Sequence, residues 1–281
     1  MFKTIAEKIW AFDLEWVPDA QAGRLVYNLP GEMPDEEVIR EMWKSAGATA
    51  EDPRPYLKTV LCRVVSVAAV TREKNSRGEY TLDLRYLPKD PDQAITEQQL
   101  IGDFLQTLGK SKPQLVGFNS SEADIPILLQ RGVAAGITAP DFCERPDKPW
   151  EGQDYFSQYA DAHIDLKKIL GGWGKATPSL HELAQVSGIP GKMDISGDNV
   201  VDLWLVGKMR DIVEYNQYDA LTTYLVWLRV AHFAGFFSSE NYELEQNKVK
   251  QLIQSKIKSG ESHLARFLNR WTELKDKIKA K

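Results

Sequence analysis

The sequence predicts an α/β fold around a mixed β-sheet, and three observations predict it. Residues 60–72 and 79–87 are β-rich runs joined by Asn75, Ser76, Arg77 and Gly78, a hairpin-like connection between antiparallel strands. Thr96 and Gln99 have capping-box spacing ahead of an amphipathic run through Leu100, Phe104, Leu105 and Leu108, which leads to a further strand at 114–118. Residues 211–233 then form a long helix, with Val213, Leu221, Tyr224, Leu225 and Leu228 at helical spacing. A hairpin followed by a helical crossover to another strand makes a mixed sheet flanked by helices.

In chain order, residues 8–16 alternate and are rich in aromatics and β-formers, which predicts a buried strand carrying Asp13 and Glu15. Residues from about 18 to 58 are punctuated by Pro30, Gly31, Pro34, Asp52 and Pro53 and read as an insertion over the core, with a short helix at 35–44. After the strand at 114–118, Asp124 stands at a helix start whose first turn accommodates Pro126. Residues 163–170 predict a short strand or helix, and Ser179 opens a helix that Gly188 stops. Towards the end, Leu264, Phe267, Leu268, Trp271, Leu274 and Ile278 lie at helical spacing. The chain therefore divides into a main domain over 1–240 and a helical extension over 241–281.

A chain of 281 residues, 43% of them hydrophobic, can bury one full-sized core. Its net charge of -5 argues against coating nucleic acid by bulk positive charge, so any such contact is local. Charge is segregated: residues 246–281 hold ten Lys or Arg against three acidic residues, leaving about -12 on the remainder. This basic extension either docks on the core or recruits nucleic acid. The favoured reading is docking with a basic outer face that helps bind a strand, ahead of a membrane-surface helix. Cys62 and Cys143 have no disulfide-framework or zinc spacing, and residues 1–10 lack the apolar run of a signal peptide or membrane span. A cytoplasmic protein without membrane attachment is expected.

Asp13 and Glu15 are two apart, so on a strand both point to one face and can share a cation. Asp35 and Glu37 repeat the spacing in an acidic, solvated helix. The first pair differs in its apolar setting of Ala11, Phe12, Leu14 and Trp16, where charge persists only with a partner. Tyr215 and Asp219 share a helix face one turn apart, whereas Tyr86 and Asp90 have the same spacing around Pro88, which forbids a helix. Asp124 alone reads as a cap or dipole partner. Together, Asp13, Glu15, Asp124 and Asp219 are the oxygen ligands that Mg2+ or Mn2+ prefers when clamping a phosphodiester. Two ions at such a site serve water activation and stabilisation of a leaving 3′ oxygen. Tyr215 would orient the water, since a phenol is a poor base near neutrality.

The succession Phe12-Asp13-Leu14-Glu15, Val116-Gly117-Phe118-Asn119 with Asp124, and Tyr215-Asn216-Gln217-Tyr218-Asp219 resembles the three exonuclease motifs of the DEDD superfamily, tyrosine subtype. Arg63-Val64-Val65-Ser66-Val67, His163-Ile164-Asp165-Leu166, Ser179-Leu180-His181-Glu182-Leu183 and Gly191-Lys192-Met193-Asp194 look like its bacterial branch, similar to the proofreading domain of family-B DNA polymerases. The resemblance spans residues 8–235. It implies a ribonuclease H-like fold, a five-stranded mixed sheet with helices on both faces. It also implies that Asp13, Glu15, Asp124 and Asp219 bind metal and that Tyr215 positions the nucleophilic water. Trp16 departs from the pattern, since many members have a small or hydroxylated residue there; strand alternation turns it from Glu15 and favours core packing over base stacking. The insertion after Pro18 is a second departure.

The expected activity is a two-metal 3′–5′ exonuclease that releases 5′-mononucleotides from single-stranded DNA. An exoribonuclease with the same site and a catalytically silent nucleic-acid or protein-binding module are the alternatives. Leu14, Asn119 and Lys192 are further candidate substrate contacts, with local backbone bonding the competing role for Asn119 and a solvated loop position that for Lys192. Asp165 is expected to support the sheet or the site, and the four histidines show no catalytic pairing. Trp150, Tyr155 and Trp173 are candidates for base stacking or for covering the core.

Overall fold

β1 (Ile9–Pro18) is the middle strand of a five-stranded sheet in the computed structural model, which describes residues 1–148, 151–157, 160–172, 174–193 and 197–279. On one edge β1 pairs antiparallel with β2 (Cys62–Lys74), which pairs antiparallel with β3 (Tyr80–Leu87). On the other edge it runs parallel to β4 (Gln114–Gly117), itself parallel to β5 (His163–Asp165), so the order is β3-β2-β1-β4-β5. This is the mixed five-stranded sheet expected from the sequence. Trp150 and Trp173 lie outside the described residues.

The insertion between β1 and β2 carries α1 (Ala20–Tyr27) and α2 (Asp35–Ser45). The sequence pattern predicts only the second; α1 is opened by Asp19, whose carboxylate accepts from the Gln21 amide. Gly23 lets α1 approach α2, because a Cβ there would lie 2.5 Å from Met42 Sδ. Asp35 and Glu37 are exposed on α2, as their acidic helix implies.

α3 (Glu97–Ser111), opened by the Thr96–Gln99 capping box, connects β3 to β4; α4 (Asp124–Ala134) and α5 (Pro140–Cys143) follow before β5. The ambiguous segment at 163–170 resolves into both elements, β5 running straight into α6 (Leu166–Leu170), which Asp165 caps. Then come α7 (Leu180–Val186), α8 (Gly197–Leu205), α9 (Met209–Phe233), α10 (Ser239–Lys258) and α11 (Leu264–Lys279). None of the helices, among the described residues, is long and apolar enough to cross a membrane.

The alternation of β1 divides the core between the two sheet faces. Ile9 and Ala11 pack with Val70, Leu84 and Val116 against Leu221, Tyr224, Leu225 and Leu228 of α9. Trp10, Phe12 and Leu14 pack on the opposite face with residues of α2, α3 and α4. Trp16, partly buried, belongs to that second face. Asp13 and Glu15 continue the first, the side that α9 covers.

The basic extension docks on this α9 side, where Val249 and Ile253 of α10 and Leu264, Phe267 and Trp271 of α11 are buried in the same core. A buried ion pair helps to fix it. Arg72 of β2 donates from Nε and Nη2 to Glu245 of α10 at 3.0 and 3.3 Å, both side chains being buried, and its guanidinium lies 3.4 Å from the Tyr80 ring centre. The Tyr224 hydroxyl also donates to Glu245 at 3.3 Å. Removing the carboxylate leaves a buried cation without its counter-charge. Glu245→Ala is accordingly expected to destabilise the protein by about 3–5 kcal/mol, read by urea denaturation; a change below about 1 kcal/mol contradicts a buried pair that anchors the extension.

Candidate active site

β1 is longer than its parallel neighbour. It pairs with β4 only from Ile9 to Ala11, opposite Gln114 to Val116, and then continues to Pro18 along β2 alone. The gap opens at the carboxyl ends of two parallel strands, where α/β sheets expose backbone and accept ligands. The Leu14 amide, no longer taken by a strand, donates to Asp124 Oδ1 at 3.2 Å. Leu14 thus contributes through its backbone, its side chain being buried.

Asp124 is the first residue of α4, where the unpaired amides of a helix N-terminus favour a carboxylate. The turn before it depends on Gly117, since a Cβ there would meet Ser120 Oγ at 2.2 Å, and on Asn119, which adopts a left-handed φ of 65°. Asp165 at the end of β5 clamps this turn. It accepts from the amides of Asn119 at 2.9 Å, Ser121 at 3.0 Å and Lys167 at 3.0 Å, and from the Ser121 hydroxyl. Burial works against this anion, yet the bonds from Ser121 and Asn119 and the nearby His163 hold it below the usual carboxylate range. The Asn119 side chain is committed locally, its Oδ1 accepting from Lys167 Nζ at 2.8 Å.

Across the gap, α9 supplies Tyr215, Asn216 and Asp219. Register between β1 and β2 shifts after Glu15: Glu15 faces Ser66 and Trp16 faces Val64, leaving Val65 as the extra residue of a bulge. Val65 packs with Val17, Ile212 and Tyr215, while Ser66 donates to Asn216 Oδ1 at 2.9 Å. Asn216 Nδ2 in turn donates to Asp13 Oδ2 at 2.7 Å. Ser66 and Asn216 both lie inside motifs visible in the sequence, but neither residue type announces a supporting role without its partners.

Carboxylate oxygens of Asp13, Glu15 and Asp219 all lie within 4.8 Å of one another. Asp124 stands beside this group, close enough to raise the pKa of both Asp13 and Glu15. For Asp13, burial comes first among the causes, followed by the charges of Glu15, Asp219 and Asp124, against which the Asn216 bond works; its pKa ends well above the ordinary range. Burial and the charges of Asp219 and Asp124 act likewise on Glu15, opposed by its bond with Asp13 and by Lys192. Burial raises Asp124 to about 7 despite its own amide and that of Leu14, and raises Asp219 to about 6 despite Tyr215 and Lys192. Tyr215, which is buried, is pushed well up by burial and by Asp219, Glu15 and Asp13, with its hydroxyl directed to Asp219. It remains a neutral phenol.

Lys192, with an exposed side chain, provides positive charge next to this anionic group. Its amide donates to His181 Nδ1 at 2.9 Å, and the closeness of His181 leaves no space for a Cβ on Gly191, which would lie 2.4 Å from the same nitrogen. Tyr155 covers the core, since its hydroxyl donates to Pro113 O at 2.6 Å and its ring stacks on Phe142.

A family model described as a predicted 3′–5′ exonuclease related to the exonuclease domain of PolB matches residues 54–271. The chain belongs to this family. The match, to a DEDD-like exonuclease domain, includes Asp124, Tyr215 and Asp219, and it extends through α10 into α11. Asp13 and Glu15 precede it, and the sheet brings them to the other two carboxylates. No curated protein matches the chain. The oxygen-only donor set of Asp13, Glu15 and Asp219 fits a hard divalent cation.

Raised carboxylate pKa values make the stability of the ion-free chain depend on pH. Well below pH 3.8 these groups are protonated in both folded and unfolded chains; as pH rises towards 6–7 the unfolded chain ionises first, from 3.8 for Asp, so the folded state loses stability over this window. A bound cation offsets that loss. Stabilisation by Mg2+ or Mn2+ in thermal denaturation is therefore expected to be larger at about pH 8 than at about pH 5, and an equal shift at both contradicts binding at this cluster. Asn216→Ala, which frees Asp13, is expected to weaken Mn2+ binding by about 10- to 100-fold in a calorimetric titration.

Proposed function

We propose that this protein is a 3′–5′ exonuclease that hydrolyses the last phosphodiester of single-stranded DNA and releases 5′-mononucleotides. The observation that carries the reading is the convergence of Asp13, Glu15 and Asp219 from β1 and α9 with oxygens within 4.8 Å, and Asp124 beside them. Asp13, Glu15, Asp124 and Asp219 would hold Mg2+ or Mn2+, two ions in all. Divalent ions bound there supply positive charge that eases deprotonation of water and stabilises the leaving 3′ oxygen.

The chain's own residues do the positioning. Tyr215, fixed by the packing of Val17, Val65 and Ile212, directs its hydroxyl into the cluster and orients the attacking water by a hydrogen bond. With its own O–H directed to Asp219, its oxygen accepts that bond from the water, and as a neutral phenol it takes no proton. Lys192 contributes an ammonium for the phosphate, and Asp165 keeps Asp124 in place through the turn at 117–121. The partly buried cluster favours a strand end free of its complement, because a paired terminus is too bulky to enter. The expected setting is the cytoplasm, with nucleic acid as partner.

The test is incubation of the full chain with 5′-labelled single-stranded DNA, and matched RNA, in Mg2+ or Mn2+. A ladder shortening from the 3′ end is expected, faster on DNA. Faster RNA decay identifies an exoribonuclease, and intact strands of both kinds at stoichiometric enzyme identify a silent binding module and overturn the proposal. Asp13→Ala is expected to abolish cleavage with an unchanged circular dichroism spectrum, and Tyr215→Phe to lower kcat by about 10- to 100-fold.

A further inference from the structure

The insertion between β1 and β2 builds a cleft against the far end of β1. The cleft encloses about 410 Å³, within the range of small-molecule sites, and its aromatic lining is Trp16, Trp43 and Tyr56. Trp16 directly follows Glu15 in the chain, its ring packing against the core and also lining the cleft. Arg54 lies with its guanidinium 5.2 Å from the centre of the Trp43 ring and forms a two-pronged pair with Asp202 of α8, at 2.9 and 2.8 Å. The insertion is thereby tied to a helix on the opposite side, and the cleft is shaped before any ligand arrives.

Tyr56 is the exposed member, with 68% of its surface in solvent. Two further lining residues tie the cleft to the site: Pro18, which with Trp16 continues β1 directly beyond Glu15, and Val201, which packs against the cluster that holds Tyr215. A strand whose last phosphate lies at Asp13, Glu15 and Asp124 has bases projecting to the side of its backbone. The cleft at the end of β1 offers such a base aromatic faces, and stacking accepts any base because every base has a π-face.

We infer that the Trp16–Trp43–Tyr56 cleft receives one of the terminal bases of the single strand by stacking. The inference rests on the nuclease reading above and assigns the insertion a part in substrate binding. Core packing and base contact are compatible for Trp16, which is only partly buried and lines the cleft as well.

The experiment measures binding of fluorescein-labelled oligothymidine to the full chain by anisotropy, with Ca2+ in place of Mg2+ to keep the strand whole. Tyr56→Ala is expected to weaken binding by about tenfold, and Tyr56→Phe, which retains the ring, to restore it. Oligonucleotides abasic at one of the last few positions complete a double-mutant cycle. At one of those positions the abasic strand should lose the same factor with the wild-type protein and nothing further with Tyr56→Ala. Independent losses at every position, or wild-type affinity in Tyr56→Ala, overturn the cleft while the nuclease stands. A wild-type protein that neither binds nor shortens a single strand overturns both.

Discussion

Like charges gathered in one partly buried place set the terms for this molecule. An ionised carboxylate pair at 4.8 Å repels by on the order of 3 kcal/mol at an effective dielectric constant of 20, a large part of the stability of a typical domain. Asp13, Glu15 and Asp219 contain several such pairs, and burial adds to the cost. A fold keeps such an arrangement where a cation compensates for it. The raised carboxyl pKa values and the wholly oxygen donor set are two expressions of the same constraint.

Holding these groups together requires rigid supports from distant parts of the chain. Asp13 is steadied by Asn216, which is steadied by Ser66 of β2. Asp124 is steadied by the Leu14 amide and by a turn that Asp165 clamps through two amides and the Ser121 hydroxyl. Each support relieves a local polar demand, so the network costs no unpaired buried group while it fixes the site. The bulge at Val65 serves both purposes, since it seats Tyr215 through packing and turns Ser66 to Asn216.

The basic extension stands in a different relation to the acidic centre. Its apolar stripe completes the core over α9, and the buried Arg72–Glu245 pair fixes its attachment to the sheet. α9 is consequently packed on both sides, by the sheet beneath and by α10 and α11 beyond. That confinement matters because α9 carries Tyr215, Asn216 and Asp219, and a helix free to roll would move all three.

Much of the fold and part of the site were legible in the sequence, where local chemistry is strong. The capping boxes at Thr96 and Ser179, the hairpin turn at Asn75 and the alternation of β1 depend on near neighbours, so their patterns survive in one dimension. The same holds for the shared face of Asp13 and Glu15 and the one-turn spacing of Tyr215 and Asp219. α1 was hidden because its signal is a single cap at Asp19 without a long apolar stripe. The carboxylates were determined by sequence as candidates; only the tertiary structure decided that Asp219 joins Asp13 and Glu15 within 4.8 Å while Asp124 bonds to Leu14 beside them. It also decided that Asn119 is spent on Lys167 and that Trp16 borders an aromatic cleft. The reason is physical: periodicity fixes which face a side chain takes within its own element, whereas distances between elements follow from packing and from strand register.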